Sequence, residues 1–245
     1  MFHEEKFLQR GLRILNRPYK PITFTGLQEA DKLLNDLKNY PHAFVLACLM
    51  DRQISAERAW LIPYEVSKEI GSFQFRDLRK LSRRRIRRIF KKKRLHRFNE
   101  RMADIFFEAI RKIDRDYDGN AANIWSRTKS SATVVRRFLE FEGAGIKIAT
   151  MAVNILVRDF KIKTIKDLSS IDISPDLQVM RVFERTGLIP KNSKREVAVY
   201  RARELNPSYP GVFDYPVWEI GRNWCRSKNP DCNNCILQSY CPRIL

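Results

Sequence analysis

The sequence predicts an all-α protein. Three observations lead there: nearly every segment carries apolar residues at helical spacing, no stretch alternates apolar and polar residues between hairpin turns, and the breaks between segments fall at proline and glycine. A chain of 245 residues with 44% hydrophobic content is long enough for one large or two modest domains with real cores. No segment approaches about 18 uninterrupted apolar residues, so no membrane association is expected.

In chain order the first predicted helix covers about 4–15 and is closed by Arg17-Pro18. The next, 27–38, is separated by Tyr40-Pro41 from 43–50, whose apolar residues make it a core helix with Cys48 as a buried thiol. Helical spacing resumes from 56 and continues through 75–89 and 97–113, and Asp118-Gly119 divides the last of these from 120–129. Helices are then expected over 134–141, 146–158 and 165–168. Ser174-Pro175 precedes a helix at 177–186, and Asn206-Pro207 with Tyr209-Pro210-Gly211 separates 195–205 from 215–224. No internal repeat or low-complexity linker is visible.

Charge narrows the choice of partner. Lys and Arg number 47 against 28 Asp and Glu, a formal net charge of +19 that favours a polyanion. The excess is concentrated: between Arg76 and Arg97 thirteen basic residues face one acid, Asp77. Leu78, Leu81, Ile86, Ile89, Phe90, Leu95 and Phe98 recur through this run, which therefore reads as one or two helices with a buried stripe and a cationic outer face. A solvated surface helix would ordinarily interleave acids, and their scarcity favours phosphate contact, with Arg84, Arg87 and Lys91 as candidates.

Four of the five cysteines, Cys225, Cys232, Cys235 and Cys241, stand near the C-terminal end in the pattern C-x6-C-x2-C-x5-C. Such a loop lets four thiolates converge, which suits a [4Fe–4S] cluster or a zinc ion. A disulfide pair is the third reading, disfavoured because nothing at the N-terminus resembles a secretory signal and the expected location is cytoplasmic, on the nucleoid if the source is prokaryotic. In the middle of the chain, Gly143-Ala144-Gly145 sits between an amphipathic helix and an apolar one. Glycines there permit positive φ and leave backbone N–H groups uncovered at a helix N-terminus, a geometry that can hold a phosphate, although a plain helix–helix turn uses the same residues.

Taken together, these two motifs resemble the endonuclease III family of DNA glycosylases. Gly143-Ala144-Gly145-Ile146-Lys147-Ile148-Ala149 is similar to the family's helix-hairpin-helix, and the cysteine spacing is that of its iron–sulfur loop. Leu49-Met50-Asp51-Arg52-Gln53-Ile54-Ser55 resembles the family segment whose Gln enters the duplex beside the extruded base, which implies that role for Gln53, with Arg52 beside it. Asp176-Leu177-Gln178-Val179-Met180-Arg181-Val182 resembles the helix that begins with the catalytic carboxylate, and Gly221-Arg222-Asn223-Trp224-Cys225 the approach to the first cluster ligand. The likeness covers roughly 34–241. The chain departs from the family in three places. The interval from Lys147 to Asp176 is long, which keeps Asp172 as a rival carboxylate; Gln178 stands where endonuclease III itself has a His; and the segment around Lys91 to Arg94 is more basic. Asp176 is preferred because Pro175-Asp176 suits a helix start.

The resemblance implies two helical domains with a DNA-binding cleft between them: a six-helix barrel at 34–159 holding the hairpin, and a second domain made of 1–33 plus 160–245 carrying a [4Fe–4S] cluster. It implies a monomeric base-excision enzyme acting on double-stranded DNA with damaged bases or abasic sites. The base leaves the stack, Lys147 attacks C1′ as a Schiff-base amine and Asp176 stabilises oxocarbenium charge. A lysine at 147 favours a glycosylase coupled to β-elimination over a glycosylase without lyase activity, and the Lys147 and Asp176 pair favours either over a non-catalytic DNA-binding homologue.

Overall fold

The computed structural model of the chain describes residues 3–244. The described residues hold thirteen α-helices and one 3₁₀ turn, with no strand and only one isolated bridge, Ser130 to Asp167. No described helix is long and apolar enough to cross a membrane. The chain divides into two compact units, one formed by Met1–Tyr19, Ser130–Val135 and Ala149–Leu245 and the other by Lys20–Lys129 and Arg136–Ile148. These limits differ from the 34–159 division that the resemblance implied.

In the unit around Lys20–Lys129 the helices are α2 (Gln28–Asn35), α3 (Pro41–Met50), α4 (Ala56–Ile70), α5 (Phe75–Leu78), α6 (Arg83–Lys93), α7 (Asn99–Asp116) and α8 (Asn123–Ser126). All ten residues of α3 are buried, as a helix apolar on every side must be, and α2, α4 and α7 pack against it. Each large side chain it buries, Phe44, Leu46 or Leu49, contributes roughly 1.5–3 kcal/mol. Even its histidine is buried: desolvation pushes the His42 pKa down to about 4, and the neutral ring donates from Nε2 to the Phe73 carbonyl at 2.7 Å.

The unit containing both termini holds α1 (His3–Asn16), α11 (Leu177–Arg185), α12 (Arg195–Leu205), a 3₁₀ turn (Pro210–Phe213) and α13 (Asp214–Asn223). Helix α11 packs on α13, while the 3₁₀ turn is the meeting point of α1, α12 and α13. At that point a Cβ on Gly11 would lie 2.2 Å from the Val212 carbonyl oxygen, so the close crossing requires glycine. The remaining helices, α9 (Ser131–Leu139) and α10 (Ile146–Arg158), each contribute residues to both units.

Three expected elements are corrected. The helix expected over 75–89 is two, α5 and α6, because Ser82 turns its hydroxyl onto the Arg85 N–H at 3.2 Å and caps a new helix. No helix forms at 165–168, where the Asp167 carboxylate instead binds the Ser169 N–H at 3.0 Å and its hydroxyl at 2.7 Å in a local turn. The helix expected over 120–129 shrinks to α8, since Asn120 spends its side chain on the Ala122 N–H at 3.0 Å.

Candidate active site

The loop after α3 is held by its own backbone. Asp51 caps the helix with its N–H on the Cys48 carbonyl at 3.2 Å, Arg52 follows on the Met50 carbonyl at 2.8 Å, and Ser55 starts α4 by accepting from the Arg58 N–H. Between them Gln53 is exposed and sits at φ 52, a left-handed conformation that a non-glycine residue adopts at some cost. Backbone strain therefore coincides with the residue that the resemblance singles out as the wedge. Arg58 binds the carbonyls of Arg94 and Leu95 just past α6, so this loop and the end of α6 are tied together.

The hairpin turn follows from its glycines. Gly143 lies at φ 82, and a Cβ there would meet Ile105 Cδ1 at 2.7 Å, so both conformation and packing demand glycine. Gly145, by contrast, is exposed with nothing within 4 Å of a would-be Cβ, which leaves its backbone open to an approaching group. Helix α10 starts at Ile146, and its second residue, Lys147, reaches back to Asp51: Nζ lies 2.8 Å from Oδ2. Arg52 donates to the Gly143 carbonyl. Hairpin and loop are thus joined twice, and Arg52, Gly143 and Lys147, read separately from the sequence, come together. Arg52, expected to accompany Gln53, is bonded to the hairpin. Asp51 was missed as a partner; it lies within the Gln53 segment, but no local pattern in the sequence links it to a lysine 96 residues away.

In the other unit the two rival carboxylates differ. Asp172 is buried and accepts a two-pronged bond from Arg203, both contacts at 2.8 Å. Asp176 is half-buried at the N-cap of α11, where Oδ1 accepts the Gln178 and Val179 N–H groups at 2.8 and 2.9 Å. Its second oxygen has no hydrogen bond among the described residues, so it can face a positive centre. Gln178 accepts from Arg181, whose guanidinium also binds the Gly221 and Cys225 carbonyls at 2.8 and 2.6 Å. Gly221 permits that approach, since a Cβ there would lie 2.8 Å from Gln178 Cβ.

Cys225, Cys232, Cys235 and Cys241 line a single cavity with Val182, Ile220 and Leu237 among its walls. Arg185 directs Nη1 to the Cys225 sulfur at 3.6 Å, and the Arg243 N–H lies 3.4 Å from that of Cys241. Burial pushes the Cys235 and Cys241 thiols up, with the other cysteines adding to the effect, so four thiolates would need a cation between them. Among the described residues no group of three or more His, Cys, Asp or Glu side chains is close enough together to hold a metal ion. By donor chemistry, four thiols on one cavity are the set that a thiolate-ligated centre takes.

The basic run divides by the faces of α6. Ile86, Ile89 and Phe90 are buried. On one flank Arg83 and Arg87 pair with Asp104 and Glu108 of α7, and on the other Lys92 and Lys93 pair with Glu65 and Glu69 of α4. The outermost ridge, Arg84, Arg88 and Lys91, is exposed and has no ion pair among the described residues. Arg87, the third candidate phosphate contact, is bonded to Asp104 at 2.8 and 2.6 Å, while Arg88 stands on the unpaired ridge.

No family model matches the sequence and no curated protein does. Solved structures match it along nearly the whole chain. A trapped endonuclease III–DNA covalent intermediate has a TM-score of 0.63 at 13% identity, covering 99% of this chain and 97% of that one. A thermostable thymine-DNA glycosylase has a TM-score of 0.64 at 16% identity, with 98% and 95% covered. A non-covalent endonuclease III–DNA complex has a TM-score of 0.62 at 12% identity, with 99% and 97% covered. The chain has the endonuclease III-like helix-hairpin-helix fold.

Proposed function

We propose that the protein is a base-excision DNA glycosylase with associated lyase activity, acting on duplex DNA that contains damaged bases or abasic sites. The observation that carries this reading is Lys147: a lysine on the second residue of α10, directly after the Gly143 to Gly145 turn and tethered to the loop that presents Gln53. Simple DNA binding does not require an amine fixed in this way. Gln53, exposed and in a strained conformation, would fill the space of a displaced base, offsetting an unstacking cost of a few kcal/mol. The hairpin N-terminus and the outer ridge of α6 would hold phosphates without reading sequence.

The chemistry follows from the residue types. Breaking the C1′–N bond builds positive charge on the sugar, which the open oxygen of Asp176 would stabilise. The Lys147 amine would bond to C1′, and β-elimination from the resulting Schiff base would cut the strand. Cys225, Cys232, Cys235 and Cys241 would hold a [4Fe–4S] cluster. Its contribution is structural, because hydrolysis and elimination move no net electrons. It would fold the loop that carries Arg226, Lys228 and Arg243 toward a phosphate backbone.

Borohydride reduction in the presence of an abasic duplex tests the reading. The wild-type protein should become covalently attached to DNA, and Lys147→Gln should lose the attachment while still binding the duplex. Attachment that survives in Lys147→Gln would assign the amine elsewhere.

A further inference from the structure

Asp51 is a half-buried carboxylate beside the amine. Its side chain is 11% exposed, against 38% for Lys147, and its Oδ2 lies 2.8 Å from Nζ. Two constraints hold it there. It caps α3 through its own N–H on the Cys48 carbonyl, and the next residue, Arg52, binds the Gly143 carbonyl at the other side of the hairpin. Asp51 therefore stands between a backbone cap on α3 and a side-chain bond to the hairpin. The neighbouring Cys48 thiol is pushed up by burial first and by the Asp51 charge second, so it stays protonated and does not compete for a proton.

We propose that Asp51 positions the Lys147 amine and accepts its proton as the amine attacks. The inference rests on the reading of Lys147 as the nucleophile. An ammonium has no lone pair, so one proton must leave Nζ before a bond to C1′ can form, and Asp51 is the carboxylate at hydrogen-bond distance. In base excision the proton passes from Nζ to Oδ2 and the freed lone pair makes the Nζ–C1′ bond. The electrons of the C1′–N bond leave with the base, which then takes the proton back from Asp51. The carboxylate is restored and no further reactant is consumed.

Single-turnover borohydride trapping on an abasic duplex, with the dissociation constant measured on the same duplex, separates this role from a structural one. Asp51→Asn keeps an oxygen that accepts from Nζ but cannot take the proton; it should trap about 100-fold more slowly, in the range expected for loss of a general base, while binding changes by no more than about threefold. Asp51→Gly should be equally slow, and added formate should restore part of its rate while leaving Lys147→Gln inactive. Trapping by Asp51→Asn at the wild-type rate would overturn the proposal, as would a failure of formate to accelerate an Asp51→Gly protein that still binds DNA. A wild-type protein that never traps would refute the nucleophile reading itself, whereas equal trapping by wild type and Asp51→Asn would refute only the assignment to Asp51.

Discussion

Asp172 and Asp176 are both acids near the start of α11, and their surroundings separate them. The first spends both oxygens on Arg203, whereas the second uses one oxygen as a helix cap and leaves the other open. Asp176→Asn should slow base release by a factor on the order of 100, comparable to the loss of other preorganised electrostatic groups. Asp172→Asn should leave release within a few-fold of wild type but lower stability by roughly 1 kcal/mol, since it weakens a charge-assisted pair whose carboxylate is buried and whose Arg203 is exposed. Single-turnover release and urea midpoints measure the two effects, and the reverse ranking would reassign the carboxylate. Asp176 was legible in the sequence because helix-start chemistry is local. The engagement of Asp172 was not, because its partner Arg203 is 31 residues away. Asp51 was illegible for the same reason, its meaning depending on a contact across the fold.

Helices with strong local signals are the ones the sequence specifies best. The expected spans 146–158 and 195–205 coincide with α10 and α12, and the apolar run at 43–50 is the buried α3 with two further residues at its start. Failures fall where a polar side chain competes with the helix, at Ser82, Asn120 and Asp167. Helix α6 is the intermediate case. Its charge and buried stripe were readable, but the acids that neutralise its flanks come from α4 and α7 and are not adjacent in sequence. That division yields a test. Replacing Arg84, Arg88 and Lys91 with Gln should lower the slope of log affinity against log salt by about 0.9 per lost phosphate contact, up to about three in all, on damaged and undamaged duplex alike. Arg87→Gln, whose parent side chain is held by Asp104, should leave the slope nearly unchanged. A triple variant with the wild-type slope would make the ridge a solvated face.

Across the whole molecule, the fold is shared with endonuclease III structures at 12% and 13% identity. At identity this low, the chains reach one fold with mostly different side chains. The cysteine loop is the part whose meaning depends on a group outside the chain. With Arg185 bonded to the Cys225 sulfur and to the Arg226 and Ser227 carbonyls, the loop is fastened to α11, and a centre bound by the four thiolates would add its binding energy to that unit's stability. Protein isolated without oxygen should be brown, absorb broadly near ~400 nm and carry about four irons per chain. One tightly bound zinc in a colourless protein would replace the cluster in this account without changing the four ligands.

The central claim is that this chain removes bases from DNA, and product analysis on defined duplexes tests it most directly. Duplexes carrying oxidised pyrimidines, 8-oxoguanine, hypoxanthine, uracil or an abasic site are incubated with the wild-type protein, and each is read with and without alkali. The account predicts release of at least one of these bases and strand cleavage that needs no alkali, both at the released base and at the abasic site. Cleavage that appears only after alkali would leave a glycosylase without lyase activity, and intact DNA on every duplex under both readings would contradict the claim.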